Sequence, residues 1–179
     1  ARAVQVSATG GKKPTPHHAV ARLASSQGGL ITVAQLRAIG VNDRTAASWV
    51  ARGALHRVHR GVYAVGHTAL TVTARRHAAL LAVRPDAALC LWTAAAHLGL
   101  TRRVPDVVHV AVPSGRLLNR TGIRVHHMRS LRPADLTVVD GLRSTSAERT
   151  LLDLAARKEC TNLERLCEQA EFMGLLDVE

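Results

Sequence analysis

Aromatic residues are scarce in this 179-residue chain, with phenylalanine, tryptophan and tyrosine together at 2%. A packed core must therefore be aliphatic, and hydrophobic residues at 47% are enough to form one. The length corresponds to one domain or two small ones. Lysine occurs only at positions 12, 13 and 158, so nearly all basic side chains are arginine. The abundance of Ala, Arg and Val is typical of a high-GC bacterium.

Cysteine is also rare, and long apolar runs are absent. Cys90, Cys160 and Cys167 have no regular spacing, so no disulfide framework is predicted and a reducing compartment is favoured. No apolar run approaches the ~18 residues of a membrane-spanning helix, and the N-terminus has no apolar segment typical of a signal peptide. We therefore expect a cytoplasmic protein without a membrane span.

Acidic residues are rare in the first two thirds of the chain. Residues 1–63 carry a net charge of +8, with Asp43 as their only acid, and residues 64–132 carry another +8. Residues 133–179 carry −5. Two consecutive basic segments favour a polyanion partner, above all nucleic acid, over a purely solubilising charge. The acidic segment is either a solvated helix face or a protein-docking face.

Turn-forming residues and hydrophobic periods divide the chain into three segments. Residues 1–16 have no period and contain Gly10-Gly11, Pro14 and Pro16, which predicts a disordered arm. Residues 17–66 predict three short helices and a basic two-stranded ribbon, the plan of a winged helix-turn-helix. Residues 67–179 predict a small mixed α/β domain ending in two helices. The expected fold class is therefore α+β.

The first two helices have clear boundary signals. Residues 17–27 place Val20, Leu23 and Ala24 on one face, and Gly28-Gly29 ends this helix. Thr32 begins the second helix, with Gln35 completing a capping box. Val33, Leu36 and either Ala38 or Ile39 are expected to face inward. Gly40 then ends the helix in a left-handed turn, with Val41 as its apolar residue.

The third helix is the predicted recognition helix. Asn42 or Asp43 caps it, and Gly53 closes it. Ala46, Trp49 and Val50 follow an i, i+3, i+4 pattern and are predicted to form its buried stripe.

The ribbon that follows is basic and irregular. Leu55 and Val58 are three residues apart, so a straight strand would place them on opposite faces and a bent or bulged strand is predicted. The turn is expected at 59–61. In the second strand, Val62 and Ala64 alternate with Tyr63 and Val65.

The third segment begins with a linker at 67–71. It then predicts a helix over about 72–83, a turn at 85–86, a short strand at 88–90 and a helix that ends near Gly99. Strands follow at 106–113 and 123–128, separated by a loop, with two more short strands, LTVVDG and LRSTS. The last two helices are SAERTLLDLAARK, capped by Ser144 or Ser146, and TNLERLCEQAEFMGLL.

The polar face of the third helix and the ribbon together form the predicted DNA-binding surface. The first half of such a helix reaches base edges, while phosphate contacts fix its register. Arg44, Thr45 and Ser48 are assigned to the major groove, and Arg52, Arg57 and Arg60 to phosphates or the minor groove. Tyr63 can donate a hydrogen bond to a phosphate. The full set of predicted DNA-binding residues is Asn42, Arg44, Thr45, Ser48, Arg52, Arg57, His59, Arg60 and Tyr63.

The sequence gives little support to a metal site or an enzyme, and no cofactor is expected. His56 and His59 are three apart in a strand region, and the adjacent His126 and His127 point oppositely. No metal-binding or nucleophile motif is present. Asp135 and Asp140 flank a candidate strand, but the third acid and the lysine of a metal nuclease are missing. We therefore expect a non-enzymatic protein.

Three stretches match a family pattern. Residues 55–66, LHRVHRGVYAVG, match L-x-R-V-x-R-G-V-Y-A-V-G, and WTAAAHLGL matches a helix of small residues that ends in Gly-Leu. GLRSTSAERTLLDLA matches G-[IL]-x-x-T-x-x-x-R-T-L-x-D-L through Gly141, Thr145, Arg149, Thr150, Leu151, Asp153 and Leu154. In these features the chain, from about residue 20 to 175, resembles AbiEi-type antitoxins of type IV toxin–antitoxin systems, in particular those of high-GC Gram-positive bacteria. One departure is Ala147, where a proline is usual.

The resemblance implies a sequence-specific repressor that binds inverted repeats in its own promoter and regulates its operon. It also implies that the second domain counters a nucleotidyltransferase-type toxin, through a functional or a physical partnership. Many relatives carry a further Vsr-like endonuclease domain, which would begin where this chain ends. The alternatives are therefore the non-catalytic front of such a protein, or a protein-interaction module that uses the acidic segment.

Overall fold

A three-stranded sheet and a five-stranded sheet organise the chain in a computed structural model that describes residues 15–113, 120–157 and 160–176. The first unit holds three helices and the smaller sheet. Its elements are α1 (Pro16–Ser25), β1 (Leu30–Thr32), α2 (Val33–Ala38), α3 (Asp43–Ala51), β2 (Leu55–His59) and β3 (Val62–Val65).

Among the described residues, the second unit holds four α-helices, a short 3-10 helix (Pro133–Asp135) and the larger sheet. Its elements are α4 (Val72–Val83), β4 (Ala88–Leu89), α5 (Leu91–His97), β5 (Val108–Val112), β6 (Ile123–His127), β7 (Leu136–Val139), β8 (Leu142–Thr145), α6 (Ala147–Ala155) and α7 (Leu163–Phe172). The two units give the mixed α+β fold that the sequence predicts. No helix within the described ranges is long and apolar enough to cross a membrane.

Helix α1 begins one residue earlier than predicted. Pro16, which the sequence analysis placed in the arm as a helix breaker, is its first residue. Proline is favourable at this position because its fixed φ suits the helix and the missing N–H has no intrahelical partner there. The remainder of the predicted arm, residues 1–14, lies outside the described residues.

The capping box at the start of α2 is confirmed. The Gln35 N–H donates to Thr32 Oγ1 at 3.2 Å, and the Thr32 N–H donates to Gln35 Oε1 at 2.9 Å. Gly40 ends the helix with a φ of 91°, which a residue with a Cβ adopts only under strain. Val41 is buried in the turn, as predicted. Together these residues fix the angle at which α3 leaves α2.

The buried stripe of α3 is narrower than predicted. Ala46 and Trp49 are buried, but Val50 is 38% exposed, so its assignment to the core was wrong. Val50 lies one residue, or about 100°, further around the helix from Trp49, beyond the face that packs. In α2, Leu36 is buried and Ile39 packs against the same core, whereas Ala38 is exposed.

The sequence analysis missed β1. Leu30 and Ile31 are fully buried in this strand, and it pairs antiparallel with β3, giving the sheet order β1-β3-β2. The irregularity of β2 is confirmed, because the register of its pairing with β3 shifts between Arg57 and His59. The shift skips Val58 and lets it pack, like Leu55, against buried residues. The element order is that of a helix-turn-helix followed by a two-stranded wing.

Helix α4 joins the two sheets. It packs against all three strands of the small sheet and against β4 and β5 of the large one. Helix α4 begins at the predicted residue, Val72. Thr71 precedes it as the N-cap, and its Oγ1 accepts the N–H of Ala74. Ala78 and Ala79 are fully buried between the sheets, where their small side chains allow close approach. The two units therefore share one hydrophobic core.

The large sheet has the strand order β6-β5-β4-β8-β7. β4 pairs antiparallel with β5 and parallel with β8, while β5 and β6 are parallel. Alternate residues of β5 face opposite layers: Val110 and Val112 meet α4, and Ala111 meets α5 and α6. The sheet thus has α4 on one face and α5, α6 and α7 on the other. Most of the predicted loop between β5 and β6, residues 114–119, lies outside the described residues.

The last two helices lie within the segments that the sequence predicts for them. Ser146, rather than Ser144, caps α6, and Ala147 is its first helical residue. In α7, Leu166 and Ala170 are buried. Met173 is 43% exposed, although its Cε reaches Gly99 at the end of α5.

Candidate nucleic-acid interface

Helix α3 presents a basic face away from the core of the first unit. Arg44, Ser48 and Arg52 are exposed and are spaced four residues apart, so they lie along one side of the helix. Thr45 is half-buried. The opposite side packs on β2, so the wing and the helix belong to one rigid unit.

Asn42 has a structural role at the start of this helix. It is the N-cap of α3, and its Oδ1 accepts the N–H of Thr45 at 2.8 Å. This bond satisfies one of the free N–H groups of the first turn. Of the two capping residues that the sequence analysis left open, Asn42 is therefore the cap. Its amide N–H groups remain as donors.

Asp43, the only acid in residues 1–63, is paired. Its carboxylate accepts two hydrogen bonds from the Arg37 guanidinium, at 2.7 and 3.0 Å. The bonds lower the pKa of Asp43 and raise that of Arg37. The remaining arginines of residues 15–66 have no carboxylate partner in the described part of the chain. They are Arg22, Arg44, Arg52, Arg57 and Arg60, and all are exposed.

The wing adds two of these arginines. Arg60 lies in the turn with Gly61, whose φ is 83°. The turn therefore comprises two residues, because His59, predicted to lie in it, belongs to β2. Arg57 is directly opposite Tyr63 across the β2–β3 pair, so both side chains point to the same face of the wing.

The predicted DNA-binding residues of the wing differ in their solvent exposure. Arg57 and Arg60 are exposed, whereas His59 and Tyr63 are half-buried. Burial, together with the positive charge of Arg120, lowers the pKa of His59. His59 is therefore a neutral hydrogen-bonding group at pH 7 rather than a cation.

The sequence did not predict one side-chain contact of the first unit. The ring of His17, at the start of α1, stacks on that of Trp49 with 4.1 Å between centroids. The stack places His17 of α1 against Trp49, the buried aromatic residue of α3. Nothing in the sequence pattern links residues 32 positions apart, so only the folded chain reveals it.

The histidines of the second unit differ in their surroundings. His127 is exposed, whereas His126 is half-buried and contacts His109, so the two adjacent side chains point oppositely as predicted. Within the described ranges, no three His, Cys, Asp or Glu side chains are grouped as metal ligands would be.

Cys90 is buried, and burial raises the pKa of its thiol. Cys160 and Cys167 pack at the edge of the core under α6 and α7.

The described part of the chain has a first unit of three helices with a two-stranded wing, followed by a unit built on a five-stranded sheet. Residues 18–66 match a family model described as a transcriptional regulator, AbiEi antitoxin. Residues 87–173 match a second model, the AbiEi antitoxin C-terminal domain. The two matches follow each other in the chain and together cover most of it, and the chain belongs to the AbiEi antitoxin family. A search of curated protein sequences found no match to it.

Proposed function

We propose that the protein is a sequence-specific double-stranded DNA-binding repressor of its own operon. The observation that carries this proposal is the basic face of α3 and the wing, where Asp43, the only acid of residues 1–63, is paired with Arg37. Backbone phosphates provide much of the affinity for such a surface. The match of residues 18–66 to a family of transcriptional regulators supports the same function.

The exposed residues divide into two roles. Arg44 and Ser48, with Thr45, lie in the first half of α3 and reach base edges in the major groove. Arg52, Arg57 and Arg60 lie at the end of α3 and on the wing, and they contact phosphates or the minor groove. Asn42 orders the first turn of α3. His59 and Tyr63 add hydrogen bonds from the wing.

The second unit, from about residue 67, carries the antitoxin activity of a type IV toxin–antitoxin system. Its match to the AbiEi antitoxin C-terminal domain supports this assignment. The partner is a nucleotidyltransferase-type toxin encoded beside the gene. The toxin is coexpressed with the unaltered protein or with its Arg44→Ala variant, and cell growth is measured. Restored growth with both proteins would support an antitoxin activity that is separable from DNA binding. Failure of both proteins to restore growth would contradict the antitoxin activity.

A gel-shift assay tests the DNA-binding proposal. The protein is mixed with the duplex from upstream of its own gene and with an unrelated duplex of equal length. A shift of the upstream duplex at a concentration that leaves the unrelated one free supports the proposal. Equal affinity for both duplexes would contradict sequence-specific repression. Mutation of one arm of an inverted repeat in the shifted duplex then tests the form of the operator.

A further inference from the structure

Two histidines form a hydrogen-bonded pair with nearly coplanar rings on the α6 face of the large sheet, far along the chain from α3. The rings of His109 on β5 and His126 on β6 have centroids 5.2 Å apart and an angle of 6° between their planes. His109 Nδ1 and His126 Nε2 are 3.0 Å apart. Arg124 is directly opposite His109 in the parallel pairing, so its side chain lies on the same face.

The hydrogen bonds of this pair have one direction. The Arg157 guanidinium, which can only donate, lies with Nη2 3.4 Å from His126 Nδ1. His126 Nδ1 therefore accepts, and His126 Nε2–H donates to His109 Nδ1. The proton of neutral His109 must then be on Nε2. Burial and the nearby cations lower the pKa of His109 and lower that of His126 to about 4, so both rings are neutral at pH 7.

The series of hydrogen bonds from Arg157 through His126 to His109 ends at an open cleft. His109 Nε2–H has no hydrogen-bond partner in the described part of the molecule. The cleft beside it has a volume of about 340 Å³. Its lining residues are Trp92, Arg103, Pro105, Asp106, Val107, His109 and Arg124.

The cleft has an excess of unpaired positive charge. Arg103 and Arg124 are exposed, and neither forms an ion pair within the described ranges. By contrast, Arg149 near Arg157 is held by two carboxylates, at 3.0 Å from Asp153 and 3.3 Å from Asp135. Asp106 is the one carboxylate in the described lining, so Arg103 and Arg124 together leave an excess of positive charge that attracts an anion.

Trp92 supplies the aromatic side chain among the residues that line the cleft. It is one of only two tryptophans in the chain and is half-buried, with part of the side chain in the core and part at the cleft. An indole beside guanidinium groups suits a ligand that combines an aromatic base with a phosphate. Bases stack on aromatic side chains regardless of their identity, and arginine forms strong charge-assisted bonds with phosphate.

We propose that this cleft binds a nucleotide unit, with the base against Trp92 and the phosphate on Arg103, Arg124 and His109 Nε2–H. The unit is either a free nucleotide or the end of a single strand. This site lies in the second unit and is separate from the proposed DNA-binding face of α3. It does not depend on the proposed repressor function.

The test uses the fluorescence of Trp92. A Trp49→Phe variant leaves Trp92 as the only tryptophan, and calorimetry with the unaltered protein gives the same affinity without relying on the folding of that variant. The probes are AMP and a short 5′-phosphorylated single-stranded oligothymidylate. A saturable fluorescence change with AMP identifies a free nucleotide, and saturation with the oligonucleotide alone identifies a strand end. No saturable binding of either probe overturns the proposal.

Neighbouring arginines provide a matched control. Arg103→Ala and Arg124→Ala should each weaken binding by at least about tenfold, because each removes a charge-assisted bond to the phosphate. Arg102→Ala removes the same charge from an exposed residue that does not line the cleft, and should leave the affinity unchanged. Equal effects of the Arg102 and Arg103 substitutions would show a general charge effect and contradict the assigned site.

Discussion

The Arg37 guanidinium and the Asp43 carboxylate form a two-bond ion pair that joins the second helix to the first residue of the third, with distances of 2.7 and 3.0 Å. Both side chains are exposed, so water screens the pair and it contributes little to folding stability. Its effect is electrostatic, because it neutralises Asp43, the only acid in residues 1–63, at the start of the proposed DNA-binding helix. The pair therefore keeps this face uniformly attractive to phosphate.

Arg37→Ala should weaken DNA binding although Arg37 is not assigned to a base or phosphate. The substitution leaves the Asp43 carboxylate unpaired beside α3, where it repels DNA. Fluorescence anisotropy with the upstream duplex measures the loss. The double variant Arg37→Ala/Asp43→Ala should recover part of the affinity, because it removes the repelling charge as well. A double variant weaker than Arg37→Ala would contradict this electrostatic role.

Arg44→Ala should reduce sequence preference, while Arg60→Ala should weaken all duplexes about equally. A base contact distinguishes sequences by about 1–3 kcal/mol, whereas a phosphate contact has no sequence preference. The ratio of affinities for the upstream and unrelated duplexes separates the two effects. Arg165→Ala, an exposed arginine on α7, is the charge-matched control. The assignment of roles is wrong if Arg60→Ala changes the ratio and Arg44→Ala does not.

Trp49→Ala should be far more destabilising than Val50→Ala. Trp49 is 4% exposed and fills the core of the first unit, so its truncation costs about 3–5 kcal/mol. Val50 lies outside the packed face, and its truncation should cost less than about 1 kcal/mol. Urea unfolding followed by circular dichroism measures both. Equal losses would place Val50 in the core, as its spacing alone suggested.

Acidification should destabilise the protein through His97. Arg76 donates to His97 Nδ1 at 3.2 Å, so Nε2 carries the proton and donates to the Val139 carbonyl at 3.0 Å. Burial is the main cause that lowers the pKa of His97 from 6.5, with the charge of Arg76 in the same direction. The neutral ring is favoured in the folded state, so its contribution is complete above pH 6.5 and is lost as the pH falls below that value.

The urea midpoint measured across this pH range, for the unaltered protein and for His97→Gln, isolates the contribution of His97. Other histidines also have lowered pKa values, so both proteins lose stability in acid. The variant should lose less, because its amide does not titrate. Parallel pH profiles would show that protonation of His97 is not part of the acid response.

Local signals predicted much of the first unit. The capping box of Thr32 and Gln35 and the left-handed Gly40 each depend on a few consecutive residues. The three-residue spacing of Leu55 and Val58 likewise predicted the bulge in β2. In each case the signal lies within one helix, turn or strand, and local backbone geometry is enough to predict the structure.

Features that depend on distant pairing could not be predicted in this way. β1 has only three residues, too few to show a hydrophobic period in the sequence. It is a strand because it pairs with the free edge of β3. The cleft beside His109 arises because β5 and β6 pair in parallel, which brings His109 and Arg124 together. The exposed arginines of α3 were predicted as a DNA-binding surface, and their contacts with DNA remain a prediction.

The central claim is that the basic face of α3 and the wing binds DNA, and the salt dependence of the affinity tests it most directly. Each arginine–phosphate contact releases counterions, so the dissociation constant for the upstream duplex should rise at least about tenfold between roughly 50 and 200 mM salt. Loss of Arg60 should reduce the slope of this dependence by about one. An affinity that stays flat over this range would contradict the claim.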